Sequence, residues 1–211
     1  IITYVRSELS YDRFHEKADR LNRLRYTAPN GLELATTPPP IAPRLKDFFA
    51  EVESAARMYG RNVSITRPDR REAIEETNVF FADSAIMDMF FFEFVKGKPE
   101  QALRDEFAII ITEEMAKKYF GDENPIDQTL MFSNSHSFKV TGVVKNFPEN
   151  SHIRFNMLVP YENMFDLETD AAAQAMRGNF DINYIISHSY TYVLLKPGAD
   201  PTAVDERMND F

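Results

Sequence analysis

The sequence predicts an α+β domain that carries a smaller inserted α/β unit. The two ends of the chain show a similar alternation of strand and helix, and the block at residues 107–148 between them has its own complete order of elements. Two similar halves that flank an insert are typical of this fold class. The predicted division assigns residues 1–60 and 150–211 to the outer part, and residues 61–149 to the insert.

Composition excludes several classes of protein. The chain has 211 residues, of which 44% are hydrophobic and 27% are charged, so it can bury one large core or two small ones. The net charge of −9 argues against binding a nucleic-acid backbone, which requires a basic surface. Because cysteine is absent, disulfides, thiolate catalysis and cysteine metal sites are excluded.

The ends of the sequence predict a domain excised from a longer protein. The chain begins at Ile1 without a methionine and stops at Phe211 within a helical pattern. No run approaches the roughly 18 consecutive apolar residues that a membrane-spanning helix requires.

The first half is predicted to contain a helix followed by a strand–helix–strand unit. Residues 1–20 are predicted to be helical because apolar residues recur on one helical face. That face consists of Tyr11, Phe14, Ala18 and Leu21. A strand is predicted from Arg23 to Ala28, a helix over residues 41–49 after three prolines, and a second strand over residues 55–59.

Two contrasting segments follow this unit. Residues 60–78 are polar and arginine-rich, and their mixed charges predict a solvated hairpin or loop. Residues 79–96 are the most apolar stretch, in which Asp83 or Ser84 is predicted to cap a short helix. Aromatic-rich runs favour a packed core, and a pocket for an apolar ligand is the alternative.

The middle block has strong local signals. A strand at Phe107–Ile111 leads to Thr112, a good N-cap, and Gly121 supplies a left-handed helix stop. A hairpin is then predicted from Gln128–Phe132 and Ser137–Val144. These signals predict a unit that folds from its own sequence.

The last third is predicted to alternate strands and helices again. Strands are predicted over residues 152–160 and 189–196, with a short helix over 161–167 and a partly helical loop over 168–187. The inward side chains of the first strand are predicted to be Ile153, Phe155, Met157 and Val159. Asp200 is predicted to cap a final helix.

Motifs that carry chemistry are missing from the sequence. It has no GxGxxG, GxxxxGK[ST], HExxH or GxSxG pattern. The histidines are widely spaced, at His15, His136, His152 and His188. Acidic residues are too numerous for chance neighbours to indicate catalysis; examples are Asp83, Asp88, Glu93, Asp122 and Glu123. No catalytic, cofactor-binding or metal-ligating residue is therefore assigned.

Two Ser-His-Ser triplets invite a catalytic interpretation. They are centred on His136 and His188. Neighbouring side chains on a strand are expected to point to opposite faces, so the triplets do not predict a Ser-His pair.

Three segments carry a resemblance to a known family. Residues 4–15, YVRSELSYDRFH, resemble the segment just after the first transmembrane helix of MacB-like, FtsX-like ABC transporter permeases. The middle block is similar to the insert of that family through AKKYFGD at residues 116–122 and FKVTGV at residues 138–143. Residues 192–198, YVLLKPG, resemble the last strand before the return helix.

The resemblance implies an extracytoplasmic domain of an inner-membrane permease, located in the periplasm. A porter-like part would come from both chain ends, and a Sabre-like α/β part would be inserted between them. The domain would have no catalytic residue or cofactor. It would couple ATP hydrolysis to periplasmic movement for export or efflux, a process called mechanotransmission.

The resemblance also implies partners. A cytoplasmic ABC ATPase would act through the flanking membrane helices, and the permease would work as a homodimer or as a pair of permeases. A periplasmic adaptor or a substrate protein is a candidate partner, and nucleic acid is not.

Two other functions remain open at this point. One is a ligand-binding sensor domain of a membrane receptor, with the region from Phe80 to Val95 lining its pocket. The other is a histidine-dependent hydrolase, which requires a histidine within about 3 Å of an acid or hydroxyl in a cleft.

Overall fold

The computed structural model describes most of the chain. The described residues are 2–5 (as backbone), 17–28, 30–148, 151, 153–168, 187–208 and 211, with separate positions between 171 and 184.

Strands dominate the fold, and short helices flank them. The first half contains β1 Ile2–Val5, β2 Leu21–Thr27, β3 Glu33–Leu34, α1 Ile41–Phe48, β4 Val52–Thr66 and β5 Ile74–Ala82. The middle contains α2 Ile86–Met89, β6 Phe94–Gly97, β7 Ala108–Thr112, α3 Glu113–Phe120, β8 Thr129–Phe132 and β9 His136–Val144. The last part contains β10 Met157–Pro160, α4 Asn163–Asp166, β11 Tyr190–Leu195 and α5 Pro201–Arg207. This composition confirms the predicted α+β class.

All of these strands belong to one mixed sheet. Its order is β1-β2-β11-β4-β5-β10-β7-β9-β6, and β3 adds to β2. Within this order the pairs β5–β10 and β7–β9 are parallel, and the other pairs are antiparallel. The strands nearest both ends of the described chain therefore lie in the same sheet as the strands of the middle block.

One end of the sheet closes into a ring. Strand β8 pairs with β9 through Leu130 and Phe138, and it pairs with the end of β4 through Phe132 and Ile65. The closed order is therefore β4-β5-β10-β7-β9-β8. A buried core joins this strand ring to α3 and α4, and includes Phe81, Ile111, Tyr119, Phe132, Phe138 and Phe165.

Helices cover the other end of the sheet. Side chains from α1 and α5 pack against β2, β4 and β11 and form a second core, which includes Leu24, Leu45, Phe49, Val193 and Val204. The opposite face is covered by α2 and the phenylalanine run, whose buried members include Ile86, Met89, Phe90 and Phe92. Strand β11 is therefore buried on both faces, in agreement with its nearly continuous apolar sequence.

The predicted helix over residues 1–20 is wrong where the structure describes it. Residues 2–5 form β1, which pairs with β2 from Ile2 opposite Tyr26 to Val5 opposite Arg23, and residues 17–20 form a turn. β-Branched and aromatic residues at the start of the chain favour a strand. The helical periodicity came largely from Tyr11 and Phe14, which lie outside the described residues.

Four other predicted boundaries need correction. Strand β2 begins at Leu21 rather than Arg23, and the predicted strand 55–59 is part of the 15-residue β4. Helix α2 has Ala85 at its N-cap, without a side-chain cap. The predicted strand 152–160 is confined to β10, although Ile153 and Phe155 are buried as expected.

The local signals of the middle block are confirmed. The Thr112 hydroxyl accepts a hydrogen bond from the Met115 amide at 3.4 Å, and Gly121 ends α3 with a φ of 63°. Strands β8 and β9 form the predicted hairpin. Asp200 also caps α5, where its carboxylate accepts from the Thr202 amide at 2.9 Å. Each of these contacts spans only a few residues, so local sequence was enough to predict it.

The polar segment 60–78 forms the hairpin of β4 and β5, as predicted. This hairpin crosses the predicted boundary at residue 60, and β10 lies between β5 and β7. The division into residues 1–60 with 150–211 and 61–149 stays a prediction.

Candidate functional site

A buried arginine lies near the middle of β4. The Arg57 side chain is only 9% exposed. Its Nε and Nη2 donate to the two carboxylate oxygens of Asp83, each at 2.9 Å, and the Arg57 amide donates to the same carboxylate at 2.8 Å. Asp83 directly follows β5. A bidentate pair of this kind fixes both side chains in one geometry.

The arginine pair extends into a network that reaches two further strands. The Arg57 guanidinium carbon lies 4.0 Å from the centre of the Tyr161 ring, just after β10. The Tyr161 hydroxyl lies 2.8 Å from Ser189 Oγ, directly before β11, and His188 Nδ1 lies 2.7 Å from the same oxygen. We call Arg57, Asp83, Tyr161, His188 and Ser189 the junction network, because it links β4, β5, β10 and β11.

Burial determines the protonation states in the junction network. Burial alone would lower the pKa of Arg57, but the hydrogen bonds and charge of Asp83 outweigh it and raise that pKa. Burial raises the pKa of the Tyr161 phenol, and the Arg57 charge opposes the rise. Burial and the Arg57 charge both lower the pKa of His188. The network therefore holds a charged arginine, a neutral phenol and a neutral imidazole near pH 7.

The histidines do not form a catalytic site in the described structure. The Ser189 hydroxyl that contacts His188 belongs to a residue with 0% exposure, so a substrate cannot reach it. The Ser135 hydroxyl lies 2.8 Å from His136 Nδ1, but this contact is in an exposed turn. His15 and His152 lie outside the described residues.

The expectation that neighbouring serine and histidine side chains point apart was wrong for both triplets. Ser135 and His136 lie where a turn meets β9, and His188 and Ser189 lie just before β11. The alternation of side chains holds within a strand and not at its ends, so neighbouring side chains can meet there.

The acidic residues singled out in the sequence are dispersed. Asp83 binds Arg57, and Glu93 pairs with Lys145. Asp122 lies 2.5 Å from Lys117, and Glu123 lies 3.3 Å from Arg67. Asp88 lines a cavity of about 310 Å³, and its backbone carbonyl accepts a hydrogen bond from Lys17. Among the described residues, no three acidic or histidine side chains are grouped as a metal site.

A second buried polar cluster lies in the strand ring. The Glu76 carboxylate of β5 is 4% exposed. It accepts a hydrogen bond from the Tyr119 hydroxyl at 2.5 Å and forms an ion pair with Lys118 at 2.6 Å. Burial and the hydrogen bond to Glu76 raise the pKa of Tyr119. We call these three residues the ring cluster. It attaches α3 to β5 within the ring.

The apolar stretch 79–96 forms packed core rather than the predicted alternative pocket. Phe81, Phe90 and Phe92 are at most 6% exposed. Phe91 is 54% exposed, and Phe80 lines a cavity at the edge of this core. The favoured interpretation, a packed core, is therefore confirmed.

A cavity of about 260 Å³ opens at the edge of this core. Its lining includes Arg23, Asn78, Phe80, Arg154, Tyr190 and Tyr192. Burial raises the pKa of the Tyr192 phenol, while the charge and hydrogen bond of Arg23 oppose the rise. Sequence reasoning missed both this cavity and the junction network. The one available signal was a charged residue within an apolar run, as at Arg57 between Ala56 and Met58.

The junction network has a structural role, because its groups bond to one another across four strands. Arg57, Tyr161 and Ser189 are buried, Asp83 and His188 are partly buried, and the network's polar groups bond to one another, so they hold strands together. Among the described residues, no helix combines the length and apolar character needed to cross a bilayer.

The whole chain, residues 1–211, matches the MacB-like periplasmic core domain, and the chain therefore belongs to that family. This confirms the resemblance of the three sequence segments. The family is that of the periplasmic domain of ABC transporter permeases, which is not itself catalytic.

Two solved structures support the fold. One is a domain designated a permease domain from Porphyromonas gingivalis, with 26% identity and a TM-score of 0.70, covering 91% of this chain and 82% of that one. The other is the periplasmic region of MacB from Actinobacillus actinomycetemcomitans, with 15% identity and a TM-score of 0.57, covering 80% and 69%. No curated protein matches the chain significantly.

Proposed function

We propose that this domain couples ATP hydrolysis by a cytoplasmic ABC ATPase to movement on the periplasmic side of the inner membrane, for export or efflux. The single observation that carries this proposal is the continuous sheet. Hydrogen-bonded strands lead from β1, near the start of the chain, to the closed strand ring. A force applied at one end of such a sheet is carried to the other end.

The path through the sheet begins where the two ends of the described chain meet. Strand β1 pairs with β2, β2 pairs with β11, and α5 follows β11 and lies beside β1. In the intact permease as proposed, the flanking membrane helices pull on this corner of the sheet, which is formed by β1, β2, β11 and α5. Displacement of the corner moves β11, which pairs with β4 over most of its length.

Strand β4 continues the path into the ring. Its 15 residues span about 50 Å at the usual rise of about 3.3 Å per residue. The first part of β4 pairs with β11 and its end pairs with β8. The same strand therefore belongs to both ends of the sheet.

The junction network supports rigid movement at the point where the two ends of the sheet join. It bonds β4, β5, β10 and β11 through buried groups, so relative sliding of these strands would leave charged and polar atoms unpaired. We propose that residues 61–149 act as a Sabre-like unit, which moves with the porter-like part formed by residues 1–60 and 150–211.

The proposed partners follow from the family. They are the ABC ATPase, contacted through the flanking membrane helices, and a second copy of the permease or a paired permease. A periplasmic adaptor or substrate protein would contact the moving domain.

The 211 residues contain no cysteine, so label sites can be introduced into this domain of the intact permease with its ATPase, once any cysteines elsewhere in the complex are replaced. Ser137→Cys in the ring and Glu206→Cys in α5 are both exposed sites for spin labels. The distance between these labels in one chain is expected to stay constant between the ATP-bound and ADP-bound states. The distance between Ser137→Cys labels on paired domains is expected to change.

Two results would contradict the proposal in different ways. Constant distances between paired domains in both nucleotide states would refute coupling. A large change between residues 137 and 206 of one chain would refute transmission through a rigid sheet. The labelled variants must retain ATPase activity, which serves as the control.

A sensor domain of a membrane receptor is the second candidate. The cavity of about 260 Å³ favours it, because receptors of this kind need a ligand site. Ligand binding without any nucleotide-dependent movement would support the sensor over the force-transmitting domain.

A further inference from the structure

The cavity beside β2 and β11 is built from five parts of the fold, one of which is β4 through Met58. Arg23 comes from β2, Tyr190 and Tyr192 come from β11, Phe80 comes from β5, and Arg154 comes from the extended segment before β10. The cavity lies at the open edge of the core formed by α2 and the phenylalanine run. Its position does not depend on the proposed mechanical role.

The charge of the cavity is opposite to that of the chain. Acidic residues outnumber basic ones by 33 to 24, yet the described residues of the lining include two arginines and no carboxylate. Other arginines form ion pairs with acidic residues, such as Arg20 with Glu53 and Arg61 with Glu168. In the part of the chain that the structure describes, no ion pair includes Arg23 or Arg154, and both side chains line the cavity.

Arg23 is oriented by an aromatic ring. Its guanidinium carbon lies 5.9 Å from the centre of the Tyr190 ring, and the buried Tyr192 lines the same cavity. The ring contact holds the side chain in place, and none of the described residues that line the cavity is a carboxylate. An arginine held in this way pays little entropy when it binds an anion.

The backbone of Arg154 is fixed from both sides. Ile153 and Phe155 are buried, which anchors the segment. The amide side chain of Asn156 donates to the Thr77 carbonyl at 3.1 Å, and its backbone N–H donates to the Asn78 carbonyl at 2.9 Å. The segment is therefore held against the middle of β5, and Arg154 is kept at the cavity.

The cavity also has an apolar wall. Met58 and Ile153 are at most 3% exposed and line it together with the ring of Phe80. The Phe80 ring lies against Gly60, where any Cβ would sit 2.9 Å from a ring carbon. Glycine thus lets the ring lie flat on β4. The volume of about 260 Å³ is just below the range of typical ligand pockets, so the occupant must be small.

We propose that this cavity binds a small organic carboxylate whose body is apolar. The carboxylate would be bound by Arg23 and Arg154, and the apolar body would lie on Phe80 and Met58. Guanidinium groups match carboxylate oxygens in geometry and charge. Either a free carboxylic acid or the C-terminal residue of a peptide carries this chemistry.

The test uses the full 211-residue chain and ligand-observed fluorine NMR with 3-(4-fluorophenyl)propionate. The fluorine signal of the acid is expected to broaden on addition of protein, whereas the signal of its neutral amide is not. A dipeptide ending in phenylalanine is then added as a competitor, which separates a free acid from a peptide end as the source. If the dipeptide displaces the fluorinated acid at a lower concentration than the unlabelled acid does, the ligand is assigned as a peptide end. The reverse order would assign it as a free carboxylic acid.

Two variants locate the binding, and a third is the control. Arg154→Gln, at an exposed position, is expected to weaken binding about tenfold or more, as loss of a charge-assisted hydrogen bond predicts. Arg23→Gln is expected to act similarly. Arg71→Gln makes the same charge change in the exposed turn between β4 and β5 and should leave binding unchanged. Circular dichroism melts check the folding of each variant.

Several outcomes would overturn the proposal. The first is that the acid and its amide bind equally well. The second is that Arg71→Gln and Arg154→Gln weaken binding of the acid equally. The third is that the fluorine signal does not broaden at about 1 mM ligand. Displacement of the acid by an equal concentration of inorganic phosphate would reduce the site to a general anion site and would also refute the proposed apolar body. If Arg23→Gln disturbs the fold through Tyr192, the exposed Arg154→Gln variant still decides the question.

Discussion

The junction network and the ring cluster bury charge in two different ways. The Arg57 side chain is 9% exposed and that of Asp83 is 25% exposed, and they meet in a bidentate pair, so a buried positive charge is balanced directly by a partly buried negative one. Glu76 is buried against the neutral hydroxyl of Tyr119, and its countercharge, Lys118, is 35% exposed. The first arrangement links strands from distant parts of the chain, whereas the second attaches one helix to a neighbouring strand.

The contrast indicates where the domain resists deformation. Breaking a buried ion pair leaves a charge without compensation, while losing a neutral donor leaves a carboxylate that Lys118 still partly balances. The junction network should therefore be more sensitive to substitution than the ring cluster. Four predictions test that comparison, in order of decreasing effect.

The largest effect is expected for Asp83→Asn. The change keeps the shape of the side chain but leaves the Arg57 charge buried without its carboxylate. Loss of one partner of a buried pair predicts a fall of about 3 kcal/mol in the free energy of unfolding. Urea titration followed by circular dichroism measures this value.

The matched control is Asp122→Asn, which breaks a fully exposed pair with Lys117. It should leave the urea midpoint unchanged. If the two variants have the same midpoint, the Arg57–Asp83 pair does not stabilise the junction as proposed.

An intermediate effect is expected for Tyr119→Phe in the ring cluster. Removal of the hydroxyl takes away one donor to the buried Glu76 carboxylate, which predicts a loss of about 1–2 kcal/mol. The same urea titration provides the measurement. A loss larger than that of Asp83→Asn would reverse the comparison between the two clusters.

A smaller effect is expected for Thr112→Ala at the start of α3. The variant removes the hydroxyl that caps the helix, at a typical cost of about 1 kcal/mol. Thr112→Ser keeps the hydroxyl and should retain most of the stability. Equal destabilisation by alanine and serine would show that the methyl group of Thr112, and not its cap, stabilises the helix.

The smallest effect concerns pH and His188. Its folded pKa lies below its ordinary value of 6.5, so the unfolded chain binds a proton at a higher pH than the folded chain does. Stability from the neutral imidazole is therefore present above about pH 6.5 and decreases as the pH falls towards the folded pKa. Acidification from about pH 7.5 to about pH 5.5 should lower the melting temperature of the wild-type chain more than that of His188→Gln. Parallel melting curves across this range would exclude a role for His188 in the junction network.

Elements with strong local signals could be predicted from the sequence. Helix α3 has a threonine cap, acidic residues in its first turn and a glycine stop, and all of these contacts lie within a few residues. The hairpin of β8 and β9 is likewise closed by a short turn. The first helix shows the limit of this reasoning, because the spacing of a few apolar residues did not reveal that residues 2–5 pair with β2.

The candidate sites could not be predicted because they depend on long-range pairing. Arg57 and Asp83 are 26 positions apart, and Tyr161 and Ser189 are 28 positions apart. Apart from Arg57, which is a charged residue within an apolar run, each residue looks ordinary in its own segment. They meet only because β4 lies between β11 and β5, with β10 on the far side of β5.

The α+β class, the caps and turns of the middle block, and the likeness to MacB-like permease domains could be predicted from the sequence, because they rest on short-range contacts and on residue patterns along the chain. Three features became visible in the fold alone: β8 closes the strand ring, Asp83 neutralises Arg57, and Arg23 and Arg154 line one cavity. Such contacts form when distant segments pack together, and their geometry depends on the whole sheet.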